Sequence, residues 1–192
     1  VPDSVTSLGY ETFTGCTLLN SIKIGSGLTT IPSSMVNGCA NLKEVTIGEN
    51  VTEIGSSAFN NCTGLATITW GSNLKKINSS AFYGCSSLTS LSIPDTVVTI
   101  GDYAFQNCTG VTEVVIGKKT TQIGDYAFRN CTLIKKIYIP TSLQSIGYSA
   151  FSSCSSLHDV YYSGSASDWE TISIGNDNDA LVKATIHYNY AK

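Results

Sequence analysis

Residues 39–62 read CANLKEVTIGENVTEIGSSAFNNC, and the frame set by this stretch recurs along most of the chain. Its two ends, Cys39 and Cys62, belong to a series that continues at Cys16, Cys85, Cys108, Cys131 and Cys154, with every interval 23 residues long and free of insertions. A fixed period of about 20 to 29 residues is the length class in which each unit supplies one strand and a short return path to a stacked solenoid. The chain is therefore read by columns.

Three residues after the cysteines stand Leu19, Leu42, Leu65, Leu88, Val111, Ile134 and Leu157, and three further on Ile22, Val45, Ile68, Leu91, Val114, Ile137 and Val160. Two residues later come Ile24, Ile47, Trp70, Ile93, Ile116, Ile139 and Tyr162. The last two columns alternate with period two, as a strand with one buried face must. After a Gly or Pro break a second inward pair follows, such as Val51 with Ile54 and Val97 with Ile100, weakest where Thr120 precedes Ile123.

Next come a Gly, a Ser or Asp, and an Ala-Phe pair, as in Ala58-Phe59, Ala104-Phe105 and Ala150-Phe151. Glycine suits a turn and Ser or Asp a helix cap, so this segment predicts one short helical turn with its Phe inward. Gly38, Asn61, Gly84, Asn107 and Asn130 precede their cysteines, where a left-handed residue would end that turn.

Val1 to Gly15 aligns with Ile93 to Asn107, so the chain enters in mid-repeat and further coils are expected upstream. Six cysteine-to-cysteine turns and a final strand complete a solenoid over residues 1–162. From Ser163 the period fails, and residues 163–192 are expected to form a C-terminal cap, because a bare last coil would expose its apolar columns and aggregate end to end. Within it, Asp177 and Asp179 are placed as caps of a short helix through Leu181 and Val182; a calcium loop at Asn176–Asp179 is the weaker reading, lacking the Gly and distal Glu such loops use.

Of the 192 residues 42% are hydrophobic and 13% charged, and the formal net charge is -3 with a pI near 5.2. No basic stripe can neutralise phosphates, so nucleic acid is not expected as a partner. The longest apolar runs are far short of the roughly twenty residues that span a bilayer, so no membrane insertion is expected either. The chain starts at Val1 and its one methionine is Met35, so any start codon and signal peptide lie outside it; low charge with abundant Ser, Thr, Asn, Gly and Tyr fits an exported protein.

The spacing of Cys, the aliphatic residues three and six later, Ile-Gly, Ala-Phe and the next Cys resembles the BspA-type leucine-rich repeats, from Val1 to Cys154. The tail, with Val160-Tyr161-Tyr162-Ser163-Gly164, Asp168-Trp169 and Ala184-Thr185-Ile186-His187-Tyr188, also resembles the closing segment of surface proteins of gut anaerobes. The resemblance implies an α/β leucine-rich-repeat solenoid with a parallel β-sheet face, short helical turns on the return side and a non-repeat cap. It further implies a bacterial, extracellular or cell-surface protein that is non-enzymatic and serves adhesion, binding a protein or glycan of host matrix or of another bacterial surface. A passive spacer within a larger surface protein is the alternative.

Seven cysteines invite a disulfide framework, yet the number is odd and all occupy one inward column, where neighbouring Cβ atoms stand nearer 5 Å apart than the roughly 3.8 Å a disulfide wants. They are read as buried free thiols. A linear row cannot make the tetrahedron zinc requires. His158 and His187 stand at no ligand or catalytic spacing, and regular Ser and Thr columns give no pocket of converging polar groups. No catalytic residue, cofactor or metal site is expected, and the chain is taken as a monomer.

The outward strand positions remain. One column reads Ser21, Glu44, Thr67, Ser90, Glu113, Lys136, Asp159 and the other Lys23, Thr46, Thr69, Ser92, Val115, Tyr138, Tyr161. The second turns apolar and aromatic toward the C-terminus. Val115, Tyr138 and Tyr161, flanked by Glu113 and Lys136, form the candidate partner-binding patch. The bland reading is that the tyrosines pack under the cap or simply favour strands.

Overall fold

A computed structural model describes residues 1–191; Lys192, the last residue of the expected cap, lies outside the described residues. The strands are β1 (Ser21–Lys23), β2 (Thr30–Ile31), β3 (Glu44–Thr46), β4 (Glu53–Ile54), β5 (Thr67–Thr69), β6 (Lys76–Ile77), β7 (Ser90–Ser92) and β8 (Thr99–Ile100). They continue with β9 (Glu113–Val115), β10 (Gln122–Ile123), β11 (Lys136–Ile139), β12 (Ser145–Ile146), β13 (Asp159–Tyr162), β14 (Ser173–Ile174) and β15 (Thr185–His187). Odd-numbered strands lie on the front of the solenoid and even-numbered ones on the back. Pairing is parallel throughout, and through the repeats it joins residues one period apart, Ser21 with Glu44 and Ile137 with Val160.

The back sheet runs unbroken through seven strands, β14-β12-β10-β8-β6-β4-β2, whereas the front is split into β1-β3-β5 and β15-β13-β11-β9-β7. Between the sheets lies the core. The middle residue of each three-residue front strand points inward, so Val45, Leu91 and Val114 are buried, and the back strands add Ile54, Ile77, Ile100 and Ile123. Phe59, Phe82, Phe105, Phe128 and Phe151 form one file of parallel rings, with successive centroids 5.0, 5.3, 5.4 and 5.2 Å apart. That spacing follows the strand spacing of about 4.8 Å. Each buried ring contributes roughly 1.5–3 kcal/mol.

The Ala-Phe segments differ from the helical turns expected of them: they are tight turns. Phe59 N–H donates at 2.8 Å to the carbonyl of Ala81, one coil on, and Phe82, Phe105 and Phe128 repeat the bond to Ala104, Ala127 and Ala150. Each segment is entered through a left-handed residue (Ser57, Ser80, Tyr103, Tyr126) and left through another (Asn61, Gly84, Asn107, Asn130). A right-handed helix cannot hold such residues in its run, so the chain reverses twice and donates sideways. The expected left-handed residue before each cysteine is present; the one before Ala-Phe has no counterpart in the column reading.

All seven cysteines are free; Cys39 through Cys154 are buried as expected, whereas Cys16, in the entry coil, is exposed. Each buried thiol donates to the carbonyl at the preceding coil's Phe position, as from Cys62 to Val36 at 3.2 Å and from Cys131 to Phe105 at 3.1 Å. Burial pushes the thiols of Cys62 and Cys154 up to about 12. Thr120, the weak point of its column, is fully buried and donates its hydroxyl to the Val97 carbonyl at 2.9 Å, so the polar group is satisfied.

The tail adds to both sheets. β14 pairs with β12 and β15 with β13, and the longer excursion carries two one-turn helices, α1 (Ala166–Trp169) and α2 (Asp179–Val182). Ser165 and Asp168 form a capping box on α1, and Trp169 meets Tyr162 edge-on at 5.2 Å. Asn178 stands at the N-cap of α2 without a side-chain capping bond. Its amide oxygen instead accepts the Phe151 N–H at 2.9 Å, where the next coil's alanine carbonyl would have stood, and its NH2 donates to Gly147 and Gly175. Neither Asp177 nor Asp179 is the N-cap expected of them: Asn178 holds that position, and Asp179, the first helical residue, pairs with Lys183 at 2.7 Å on the surface.

Candidate functional site

The front strands place the predicted patch residues side by side. Tyr138 stands in register with Val115 on one side and Tyr161 on the other, and Tyr161 with His187 of β15. The two tyrosine rings stack at 4.9 Å and Tyr161 stacks on the His187 imidazole at 4.5 Å. Tyr190 lies tilted across both tyrosines, 5.3 Å from Tyr138 and 4.9 Å from Tyr161. The tail thus covers part of the patch, and Val115, Tyr138 and Tyr161 are half-buried. Burial raises the Tyr138 phenol above its ordinary value, with Glu113 adding to the rise.

In the neighbouring column Lys136 stands in register between Glu113 and Asp159. Asp159 accepts from His187 Nε2 at 2.7 Å and from His158 Nδ1 at 2.9 Å. The hydrogen bond from His187 is the chief reason its carboxyl is held below the usual carboxylate range. A cavity of about 190 Å³ opens beside Tyr138, with Val115, Pro140 and Tyr190 among its walls. This arrangement offers π faces, one alternating row of charge and a shallow recess. Among the described residues no group of three His, Cys, Asp or Glu could hold a metal ion.

A second feature lies where the front sheet splits. Between β5 and β7 a cleft of about 600 Å³ reaches toward the core, floored by Ile68, Leu88, Leu91 and Trp70 and rimmed by Thr67, Ser72, Ser90 and Ser92. Two substitutions in the repeat coincide there. Trp70 occupies a column that carries Ile at positions 24, 47, 93, 116 and 139, and its indole stands edge-on to Phe82 at 5.6 Å. Pro94 follows Gly25, Gly48 and Gly71 at a corner so tight that a Cβ at Gly48 or Gly71 would overlap the carbonyl of the glycine one coil earlier. Proline brings a Cβ into that corner and removes the N–H, as Pro140 does at the same position two coils on, where the front strands stay paired. Ile68 and Trp70 are partly exposed, whereas their counterparts Val45, Ile47, Leu91 and Ile93 are buried.

The BspA type leucine-rich repeat region, in six copies, matches residues 1–87 and 75–189. The chain belongs to this family. BspA-type repeat proteins are typically bacterial surface proteins, and leucine-rich repeats are typically non-enzymatic scaffolds for protein–protein interaction. The fold is similar to that of the leucine-rich repeat protein of T. pallidum, at 24% identity and a TM-score of 0.73 over 82% of this chain and 73% of that one. It is also similar to that of a leucine-rich repeat protein from Bacteroides ovatus, at 19% identity and a TM-score of 0.55 over 88% of this chain. This chain spans 63% of the Bacteroides protein. No curated protein matches the sequence.

Among the described residues of this BspA-type solenoid, no helix is long and apolar enough to cross a membrane. Two of its features depart from the repeat columns. The cleft is signalled by Trp70, which stands where positions 24, 47, 93, 116 and 139 carry Ile. A second aromatic file on the return edge was signalled by the repeated Asp-Tyr-Ala-Phe of residues 102–105 and 125–128: Tyr103 stacks on Tyr126 at 4.8 Å, and the Arg129 guanidinium lies 5.4 Å from the Tyr126 centroid.

Proposed function

We propose that this chain is a non-enzymatic recognition module of a bacterial cell-surface protein, acting as a monomer and using its front sheet to adhere to a protein or glycan of host matrix or of another bacterial surface. The observation that carries the reading is the in-register file of Tyr138, Tyr161 and His187 on the front face, with Val115 beside it and Tyr190 across it. Rigid, half-buried aromatic groups lose little side-chain entropy on binding and dominate the energy of recognition surfaces. Glu113 and Lys136 supply polar contacts at the rim. In this reading residues 1–162 are the repeat body and residues 163–192 the closing unit, whose Asn178 ends the backbone ladder and whose Tyr190 completes the patch.

A passive spacer is the competing reading, favoured by the plain hydroxyl columns of the first half, Thr46, Thr67, Thr69 and Ser90. Arrays of matrix proteins and glycans probed with the folded chain separate the two. Saturable capture by a defined array member supports recognition. Silence across the arrays favours the spacer.

A further inference from the structure

We infer that the cleft between β5 and β7 is a binding site for a neutral saccharide, a single pyranose ring entering from the front face. The inference rests on the surface-recognition reading and adds to it a second site, with its own ligand class, well away from the aromatic patch.

The first support is a local loss of backbone pairing. Ile24, Ile47, Ile93 and Ile116 each donate their N–H to the next coil, to Thr46, Thr69, Val115 and Tyr138 at 2.8–3.0 Å. The corresponding bond from Trp70 to Ser92 is missing. At the other end of the strand, Ala66, Thr112 and Lys135 donate to the preceding coil at 2.8–2.9 Å, while the matching bond from Thr89 to Ala66 is missing. The cleft is thus edged by the Trp70 and Thr89 N–H groups and the Ser92 and Ala66 carbonyls, none joined across the gap. Together with the Thr67, Ser72, Ser90 and Ser92 hydroxyls they form a ring of donors and acceptors around an apolar floor.

The second is shape. Ser87 N–H still donates to the Thr63 carbonyl at 3.2 Å before the strand, and on the back Val98 N–H donates to Lys75 at 2.8 Å, so the coils are held together at both ends of the opening. An extended peptide adding as a strand needs an edge it can run past, whereas this slot is short and closed at its ends. A volume of about 600 Å³ suits a compact ring with room for its substituents.

The third is the indole and the charge. Phe82 has Phe59 and Phe105 on its two faces, so Trp70 meets its rim, and the half-buried indole also forms part of the cleft wall. An aromatic wall packs against the C–H face of a sugar while the hydroxyl rim pairs with its polar edge. Among the described residues no charged side chain lines the cleft, and in register one strand away on either side stand carboxylates, Glu44 beside Thr67 and Glu113 beside Ser90. No cation in the lining would pair with an acidic sugar, and two carboxylates stand in register nearby, which favours a neutral ring.

The test uses the whole chain and a variant that repairs the repeat, Trp70→Ile/Pro94→Gly, which restores the residues found at the same positions in neighbouring coils and should rejoin the front sheet. Ser90→Tyr, which fills the opening from its exposed rim, is the second variant if the first fails to fold. Saturation-transfer NMR is run with methyl β-glucoside, methyl β-galactoside, N-acetylglucosamine and N-acetylneuraminic acid. The expected result is saturable binding of at least one neutral sugar, weakened about tenfold or more in the folded variant, and no binding of N-acetylneuraminic acid. No neutral sugar bound, or equal binding by a folded variant, overturns the inference, as does a peptide ligand whose binding the variant abolishes. If the arrays still capture a partner through the aromatic patch in those cases, the recognition reading survives without the saccharide site.

Discussion

The thiol of Cys108 donates to the carbonyl oxygen of Phe82 at 3.2 Å, and the same carbonyl accepts the backbone N–H of Cys85 at 3.3 Å. One oxygen thus ties the end of its own turn to the coil that follows, and the repeat of this contact explains why every coil keeps cysteine there. Serine would fit the bond but not the apolar surroundings.

Thiol reactivity follows directly. Cys16 is exposed, whereas Cys39 through Cys154 are buried, with Cys62 and Cys154 raised to about 12 and Cys85, Cys108 and Cys131 raised well above the ordinary value by burial. In the native state at pH 8 one thiol per chain should react with a disulfide reagent, and all seven after denaturation. Rapid labelling of a second cysteine in the native state would contradict the inward column.

Phe105 is fully buried with Phe82 and Phe128 on its two faces. Phe105→Ala should cost about 3 to 5 kcal/mol in a urea unfolding experiment, the range for deleting a core ring that cannot be refilled. Tyr138→Ala, which loses ring contacts at a half-buried position, should cost about 1 kcal/mol. Equal effects of the two would mean that the inward and outward columns are misassigned.

Asn178→Ala should destabilise the C-terminal end by about 1 to 3 kcal/mol, because the Phe151 N–H and the Gly147 and Gly175 carbonyls lose the one amide that satisfies them. Hydrogen exchange of the Phe151 amide reads this directly. It should speed up while the Phe105 amide keeps its protection.

The Asp159 carboxyl is held below the ordinary value mainly by His187, so its contribution to stability is complete above the unfolded value of about 3.9 and is lost as the pH falls through the folded value. Asp159→Asn removes that component. Between about pH 5 and pH 2.5 the wild type should therefore lose more stability than the variant. Parallel acid limbs in urea titrations would contradict the His187–Asp159 pairing as a stabilising contact.

Much of this architecture is legible in the residues themselves, because a 23-residue period forces equivalent residues into one environment and Cys, Leu, Ile and Phe can share only an inward one. The back strands show as the pairs Val51 with Ile54 and Val97 with Ile100, although not as a sheet. What stayed hidden depends on hydrogen-bond direction. Ala-Phe preceded by Ser or Asp is as good a helix start as a turn, and only the left-handed Ser57 or Tyr103 decides between them. The tail hid its continuity with both sheets because Ser173-Ile174 and Thr185-Ile186-His187 re-enter at register offsets longer than the period. For the site, the columns place Val115, Tyr138 and Tyr161 together, but Tyr190 and His187 reach them across a loop of no fixed length, which column reading does not follow. Trp70 was visible as an exception; that it falls at a gap in the sheet is a fact of three dimensions.

The most direct test of the front face as a recognition surface is the affinity of the folded chain for whichever array partner it captures, measured beside Tyr138→Ala/Tyr161→Ala with the fold of each verified by circular dichroism. Loss of about 2 kcal/mol or more of binding energy in a folded double variant is the predicted result. Unchanged affinity in that variant would contradict it and move recognition off the aromatic file.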